Sequence, residues 1–229
     1  MKADAGAPRT RLTRSQVLTT AMRLADASGI HRLSMRSLAQ ELGVVPMALY
    51  KHVASKQELL DGMVDLVWAE VQLPEIGAPW RSTMRARTLS LRDALRRHSW
   101  AIGRMESSSR PGLENLRQHN AMMGCLRESG FSFRTTVHVT SALDAYVYGF
   151  ALQEHALPFD TPTGSGEVAA THLEEAPPEA AAAFPYLIEV VTELGKAGYN
   201  ADEEFVVGLD LLLDGVEQLR PTWADDAGR

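Results

Sequence analysis

The seven histidines and one cysteine of this 229-residue chain are its best candidates for bond-making chemistry. Their spacing argues against it. No two histidines stand four residues apart with a carboxylate between them, as a helical zinc site of the HExxH kind requires. Cys125 is the only cysteine, so neither a CxxC pair nor an internal disulfide is available. It lies in the apolar run Met122-Met123-Gly124-Cys125-Leu126, the setting of a small core residue. There is no GxSxG and no phosphate-cradling glycine loop. Neither catalysis nor a metal or cofactor site is expected.

The basic side chains offer a different chemistry. Arg9, Arg11 and Arg14 cluster before and at the start of the first predicted helix. Positive charge there opposes the helix macrodipole and costs up to about 1 kcal/mol. Helix stability does not explain these arginines, but a phosphate or minor-groove partner would. The wider charge pattern agrees. Residues 1–60 carry nine Lys or Arg against four Asp or Glu, a balance of +5, and the remainder carry 14 against 25, a balance of −11. A basic head on an acidic body is the footprint of a protein whose head meets a polyanion.

The elements that must position these groups are helical. Val17, Ala21 and Leu24 recur at helical spacing, and alternating strand-like runs are scarce. Thr13 and Gln16 have capping-box spacing, which predicts a first helix from there to Ser28, closed by Gly29. Ser34 caps a second helix with Leu38, Ala39 and Leu42 inward, stopping at Gly43. A short third helix begins near Val45 or Pro46, where proline fits a first turn, and ends near His52. Ser55 and Glu58 suggest another capping box, opening a fourth helix through about Val71. Two short helices joined by a tight glycine turn are a helix-turn-helix signature. Further helices are expected over 80–103, 111–129, 134–155, 180–196 and 202–219. Residues 158–180, with Pro158, Pro162, Gly164, Gly166, Pro177 and Pro178, read as a long mobile loop. Hydrophobic residues make up 45% of the chain, enough for a sizeable core. No apolar run approaches the roughly 18 residues of a membrane span, and Met1–Thr10 has no apolar core of a signal peptide. A cytoplasmic protein is expected.

The residues now support a resemblance. Leu33-Ser34-Met35-Arg36-Ser37-Leu38-Ala39-Gln40-Glu41-Leu42-Gly43-Val44 resembles the second helix and turn of the TetR (tetracycline repressor) family. Ala48-Leu49-Tyr50-Lys51-His52-Val53, then Lys56 and Leu59-Leu60, is similar to its third and fourth helices. More weakly, Ser109-Arg110-Pro111, Glu128-Ser129-Gly130-Phe131-Ser132, Ser141-Ala142-Leu143 and the last helix resemble its tetracycline-repressor type of C-terminal domain. The resemblance implies an all-α bacterial repressor. A three-helix DNA-binding domain, residues 1–57, would precede a larger helical ligand-binding and dimerisation domain, residues 58–229. The last two long helices would form a four-helix bundle with their copies in a homodimer. Leu209, Leu212, Leu213, Val216 and Leu219 independently give the last helix a broad apolar stripe. Val139, Ala142, Ala145, Tyr146 and Gly149 give the 134–155 helix a small-residue face.

Carried over by position, the family's DNA contacts fall on Arg36, Pro46, Met47, Ala48, Tyr50, Lys51 and Lys56. Arg36 and Lys56 would anchor to phosphates, Tyr50 would add its hydroxyl, and Lys51 would read a base edge, most plausibly guanine. Pro46, Met47 and Ala48 bring no Arg, Asn or Gln. Thymine methyl contacts and DNA shape are therefore expected to supply much of the specificity. A dimer would need a palindrome with half-sites roughly 34–36 Å apart.

The resemblance also implies a ligand pocket in the body whose occupant lowers DNA affinity, and here the chain departs from the family. Glu106 stands where the tetracycline repressor has its metal-binding histidine, and other matched positions read Gln72, Thr88, Arg92, Met122 and Ala145. A metal–tetracycline chelate would not be held in the family's manner. Trp100, Met105, Met122 and Met123 would make a soft apolar wall, with Arg92, Glu106, His119 and His138 as polar contacts. A bulky, partly aromatic small molecule is the expected effector. Competing readings are an activating or ligand-independent DNA binder, whose body would pack solid, and a repressor regulated by a protein at the acidic 158–180 segment.

Overall fold

In the computed structural model, residues 11–105, 110–159, 162–175, 177 and 179–223 are described, and all regular structure among them is helical. The order is α1 (Arg14–Ser28), a 3-10 turn (Ile30–Arg32), α2 (Met35–Glu41), α3 (Pro46–Leu49), α4 (Lys56–Glu70) and α5 (Trp80–Arg97). A second 3-10 turn (Ser99–Ala101) leads to α6 (Leu113–Glu128) and α7 (Phe133–His155). Then come α8 (Pro162–Glu175), the short α9 (Ala180–Ala183), α10 (Pro185–Ala197) and α11 (Ala201–Trp223). None of the described helices is long and apolar enough to cross a membrane. The chain divides into two units between Thr140 and Ser141, so α7 begins in the first and continues into the second.

The first unit grows from its caps. Thr13 Oγ1 accepts the Gln16 N–H at 3.2 Å, and Gln16 Oε1 accepts the Thr13 N–H at 2.9 Å, the reciprocal box expected there. Ser34 and Ser37 make the same exchange at 3.0 Å each, with a serine where a Glu or Gln is usual. Ser55 Oγ accepts the Glu58 N–H at 3.1 Å, but Glu58 Oε2 reaches one residue further back, to the Ala54 N–H at 2.7 Å. Packing completes what the caps begin. Val17, Leu18 and Ala21 of α1, Leu38 and Ala39 of α2, Leu49 of α3 and Leu59 and Met63 of α4 are buried. Each large apolar side chain contributes about 1.5–3 kcal/mol on full burial. Helices α1 and α4 run parallel: Arg14 meets Glu58 at 3.6 Å, and a β-carbon on Gly62 would lie 2.8 Å from Leu18.

Helices α4, α5 and α6 continue the same core through Val67, Trp68, Met84, Leu91, Leu95, Met122, Cys125 and Leu126. Burial pushes the Cys125 thiol above its ordinary value, as suits an inert core residue. Several boundaries differ from expectation: α3 ends at Leu49 rather than near His52, α11 runs on to Trp223, and three more have a visible cause. Helix α5 stops at Arg97, because His98 leaves helical geometry (φ −122°, ψ 57°) to bond carboxylates on α1 and α4. Helix α6 starts at Leu113, because the Asp65 carboxylate of α4 accepts the Glu114 and Asn115 N–H groups, both at 3.0 Å. Helix α10 starts at Pro185, whose missing N–H separates it from Ala180–Ala183.

In the second unit, Leu143, Val147 and Ala151 of α7 are buried, as are Phe205, Leu209, Leu213 and Val216 of α11. Tyr146 donates its hydroxyl to the Phe205 carbonyl at 2.8 Å and stacks on the Phe205 ring. The long loop expected over 158–180 is instead largely helix α8. Pro162 opens it, where a proline loses no hydrogen bond. Its Gly166 is there for contact: a β-carbon would lie 2.6 Å from the Gly195 carbonyl oxygen of α10. Glycine here allows two helices to touch; it does not break one.

Candidate nucleic-acid interface and ligand site

The turn between α2 and α3 is held by backbone alone. Gly43 adopts φ 63°, its N–H bonds to the Gln40 carbonyl at 3.2 Å, and the Val44 N–H bonds to the Ala39 carbonyl at 2.9 Å. This Schellman closure satisfies the end of α2 and redirects the chain. Val45 then caps α3 with no side-chain bond, and Pro46 occupies its first turn. Leu49 is fully buried and anchors α3, so the opposite face turns outward. Met47 is 74% exposed, Val45 68% and Tyr50 47%. Arg36, Pro46, Lys51 and Lys56 are exposed as well, and Ala48 is half-buried.

Every residue expected to touch DNA thus lies at the surface of the head or, for Ala48, partly so. Among the described residues, none of Arg36, Lys51 and Lys56 forms an ion pair. Cations left available beside an apolar tip suit a partner that brings its own negative charge. Two other arginines of the head are used internally, Arg14 by Glu58 and Arg23 by Glu41. The fold therefore accounts for Arg14 without a phosphate. Arg11 is exposed, and Arg9 lies outside the described residues. Val45 was not among the expected contacts, although its place just before Pro46 puts it at the tip of α3.

The body collects a second set of groups. Trp68 of α4, Arg87 and Thr88 of α5, and Gln118 of α6 are all buried. The Trp68 ring meets His119 edge-on at 5.4 Å, and the Arg87 guanidinium lies 5.9 Å from the same ring. Gln118 Nε2 donates to the Val71 carbonyl at 2.6 Å. Yet, among the described residues, Trp68 Nε1, Thr88 Oγ1 and Gln118 Oε1 are buried without a hydrogen-bond partner. Each such group costs about 1–3 kcal/mol. Orphaned polar atoms on three adjoining helices are what a ligand would satisfy.

Of the expected pocket residues, Thr88, Arg92 and Met122 are buried in this unit, and His119 joins Trp68. Met105 is buried too. Trp100 is buried elsewhere in the unit, where Nε1 donates to Asp26 Oδ1 at 2.6 Å. Gln72, Met123 and His138 lie at the surface, and Glu106 falls outside the described residues. Trp68, Arg87 and Gln118 carry no joint signal in sequence, because they lie on three different helices and only packing brings them together. The second unit has its own hollow of about 490 Å³, lined by Phe150, Leu157, Phe159, Val191, Leu194 and Tyr199. Its buried Ser165 hydroxyl already accepts the Tyr199 N–H at 2.8 Å.

This geometry defines a helix-turn-helix protein with a separate buried polar cluster behind the head. Comparison with known proteins names the class. Residues 17–63 match the model of the bacterial regulatory proteins of the tetR family, and residues 73–220 match the tetracyclin repressor-like C-terminal domain. An HTH-type transcriptional regulator of Saccharopolyspora erythraea is 32% identical, over 71% of this chain and 69% of that protein. The class A tetracycline repressor protein from transposon 1721 of Escherichia coli is 29% identical over 92% of this chain and 93% of its own. The solved structure of the Streptomyces coelicolor TetR family protein ActR in complex with actinorhodin is similar at a TM-score of 0.73 and 27% identity. It covers 96% of this chain and 100% of that one. The chain belongs to the TetR family of bacterial DNA-binding transcription regulators.

Proposed function

We propose that this protein is a cytoplasmic repressor that binds a palindromic operator as a homodimer and is released by a bulky, partly aromatic small molecule. The head, residues 1–57, would enter the major groove with α3 and hand over to the body, residues 58–229, in the first turn of α4. The observation that carries this reading is the surface of the head. Val45, Met47 and Tyr50 stand exposed beside the available cations Arg36, Lys51 and Lys56. Phosphates would pair with the cations and base edges with the apolar tip.

Two further observations support the rest. The orphaned atoms of Trp68, Thr88 and Gln118 favour the α4–α6 cluster as the effector site over the apolar hollow of the second unit. A solved relative, ActR, holds actinorhodin. An effector that prefers the dimer with wrongly spaced heads needs only about 2.7 kcal/mol of coupling for a hundredfold release. In the second unit, Ala142, Ala145, Gly149 and Leu152 of α7 and Val207 and Leu211 of α11 are exposed. They form small and apolar faces suited to a four-helix bundle with a second copy.

The test is binding of the purified protein to the DNA upstream of its own gene across a salt series. Steep salt dependence with a footprint over a short palindrome supports the reading, and the same assay then screens metabolites for release. Equal binding to any DNA would mean an architectural role instead. Failure to bind at low salt would remove the operator reading altogether.

A further inference from the structure

One polar cluster in the first unit serves neither the DNA surface nor the candidate effector site. His98, 7% exposed, ends α5 with a carboxylate against each ring nitrogen. Nδ1 lies 2.8 Å from Asp26 Oδ1, on the last turn of α1, and Nε2 lies 3.1 Å from Glu70 Oε1, the last residue of α4. Asp26 also accepts the Trp100 indole N–H at 2.6 Å, and Glu70 accepts Arg97 Nε and Nη2 at 3.1 and 2.8 Å. The cluster ties the first helix of the head to the ends of α4 and α5.

The donor inventory makes this tie depend on a proton. A neutral imidazole donates through one nitrogen and turns a lone pair outward at the other. Only the imidazolium donates to both carboxylates. The charged groups around the ring are Asp26 from α1, Glu70 from α4 and Arg97 from its own helix, which faces it through Glu70. Burial pushes the Glu70 carboxyl up, but the Arg97 hydrogen bonds and the His98 charge outweigh this and hold it below its ordinary value. Its share of the tie is therefore lost only as the pH falls through that lowered value, well on the acid side of neutrality.

We propose that His98 is a positioning residue for operator binding: its protonated ring bridges Asp26 and Glu70 and holds the head at one angle to the body. The bridge matters because two heads must reach successive major grooves together, so a loosened head lowers operator affinity without touching DNA. The proposal rests on the operator-binding reading above. His98→Gln mimics the neutral ring in size and polarity, and Glu70→Gln removes one carboxylate while keeping its shape.

Operator and non-specific DNA affinities of the full-length protein and both variants would be measured from pH 6 to pH 8, with folding followed by circular dichroism. At pH 6 each variant is expected to bind operator roughly tenfold more weakly than the native protein, with non-specific binding unchanged. The gap for His98→Gln should narrow wherever a rise in pH leaves the native ring neutral, because a neutral ring donates to one carboxylate only. Should His98→Gln fail to fold, Glu70→Gln carries the comparison. Variants that match the native protein at pH 6 would overturn the bridge. A native protein with no footprint would instead overturn the operator reading.

Discussion

Gly112 stands against Asp65 with no room for a side chain: a β-carbon there would lie 2.2 Å from the Asp65 carboxyl carbon. That closeness lets a carboxylate on α4 cap the start of α6, forty-nine residues away, through the Glu114 N–H. Asp65→Ala should cost about 0.5–2 kcal/mol, the usual worth of a lost N-cap. Gly112→Ala should cost a similar amount by displacing the carboxylate. In a domain of this size, thermal melting would show a fall of roughly 2–4 °C per kcal/mol. Unchanged melting of both variants would leave the cap without energetic weight.

Lys51 and Lys56 are both exposed cations of the head, and they should fail differently when removed. Lys56→Ala should weaken binding to all sequences evenly and reduce the salt slope by about one. Lys51→Ala should cost about 1–3 kcal/mol on the operator and relax specificity at one position. If it weakens every sequence equally, Lys51 is a phosphate contact.

The tip of α3 presents methyl and thioether groups, Val45 and Met47, with no hydrogen-bonding side chain between Val45 and Leu49. Replacing thymine by uracil in the half-site removes only the C5 methyl. Operator affinity should fall at one or two positions, and Met47→Ala should erase that sensitivity at its own position. Binding curves indifferent to every thymine-to-uracil change would sink methyl readout.

Thr88 carries a buried hydroxyl without a partner among the described residues. Thr88→Val keeps the shape and drops the group. The ligand-free protein should become as stable or up to about 1 kcal/mol more stable. Release by the effector should weaken at the same time. Greater stability with an unaltered effector response would place the ligand elsewhere.

Leu211 on α11 is 68% exposed, on the face with Val207. On the proposed four-helix bundle, Leu211→Arg should leave the helical content intact and sediment as a monomer where the native protein sediments as a dimer, with loss of operator binding. A variant that still sediments as a dimer would direct attention to another face.

Much of the head is legible in sequence because its signals are local. A capping box joins residues three apart, and a Schellman turn needs one glycine with positive φ, so Thr13, Ser34, Ser55, Gly29 and Gly43 mark the helices directly. The exposed set Arg36, Met47, Tyr50, Lys51 and Lys56 follows from the burial of Leu38 and Leu49 at helical spacing. The α8 segment was misleading for the opposite reason. Gly166 and Pro162 read locally as breakers, while their use is set by α10 and by position in a first turn.

What the sequence determined by itself is the all-helical chain, the helix-turn-helix and its basic, apolar-tipped surface, since hydrogen bonds over three or four residues and the period of apolar side chains decide them. Only the tertiary structure decided that Asp65 caps α6, that Trp68, Thr88 and Gln118 are buried with orphaned atoms, and that His98 lies between Asp26 and Glu70. The Asp65 and His98 contacts join residues 28 to 72 positions apart. No local period encodes which helix faces meet, and packing chooses among them.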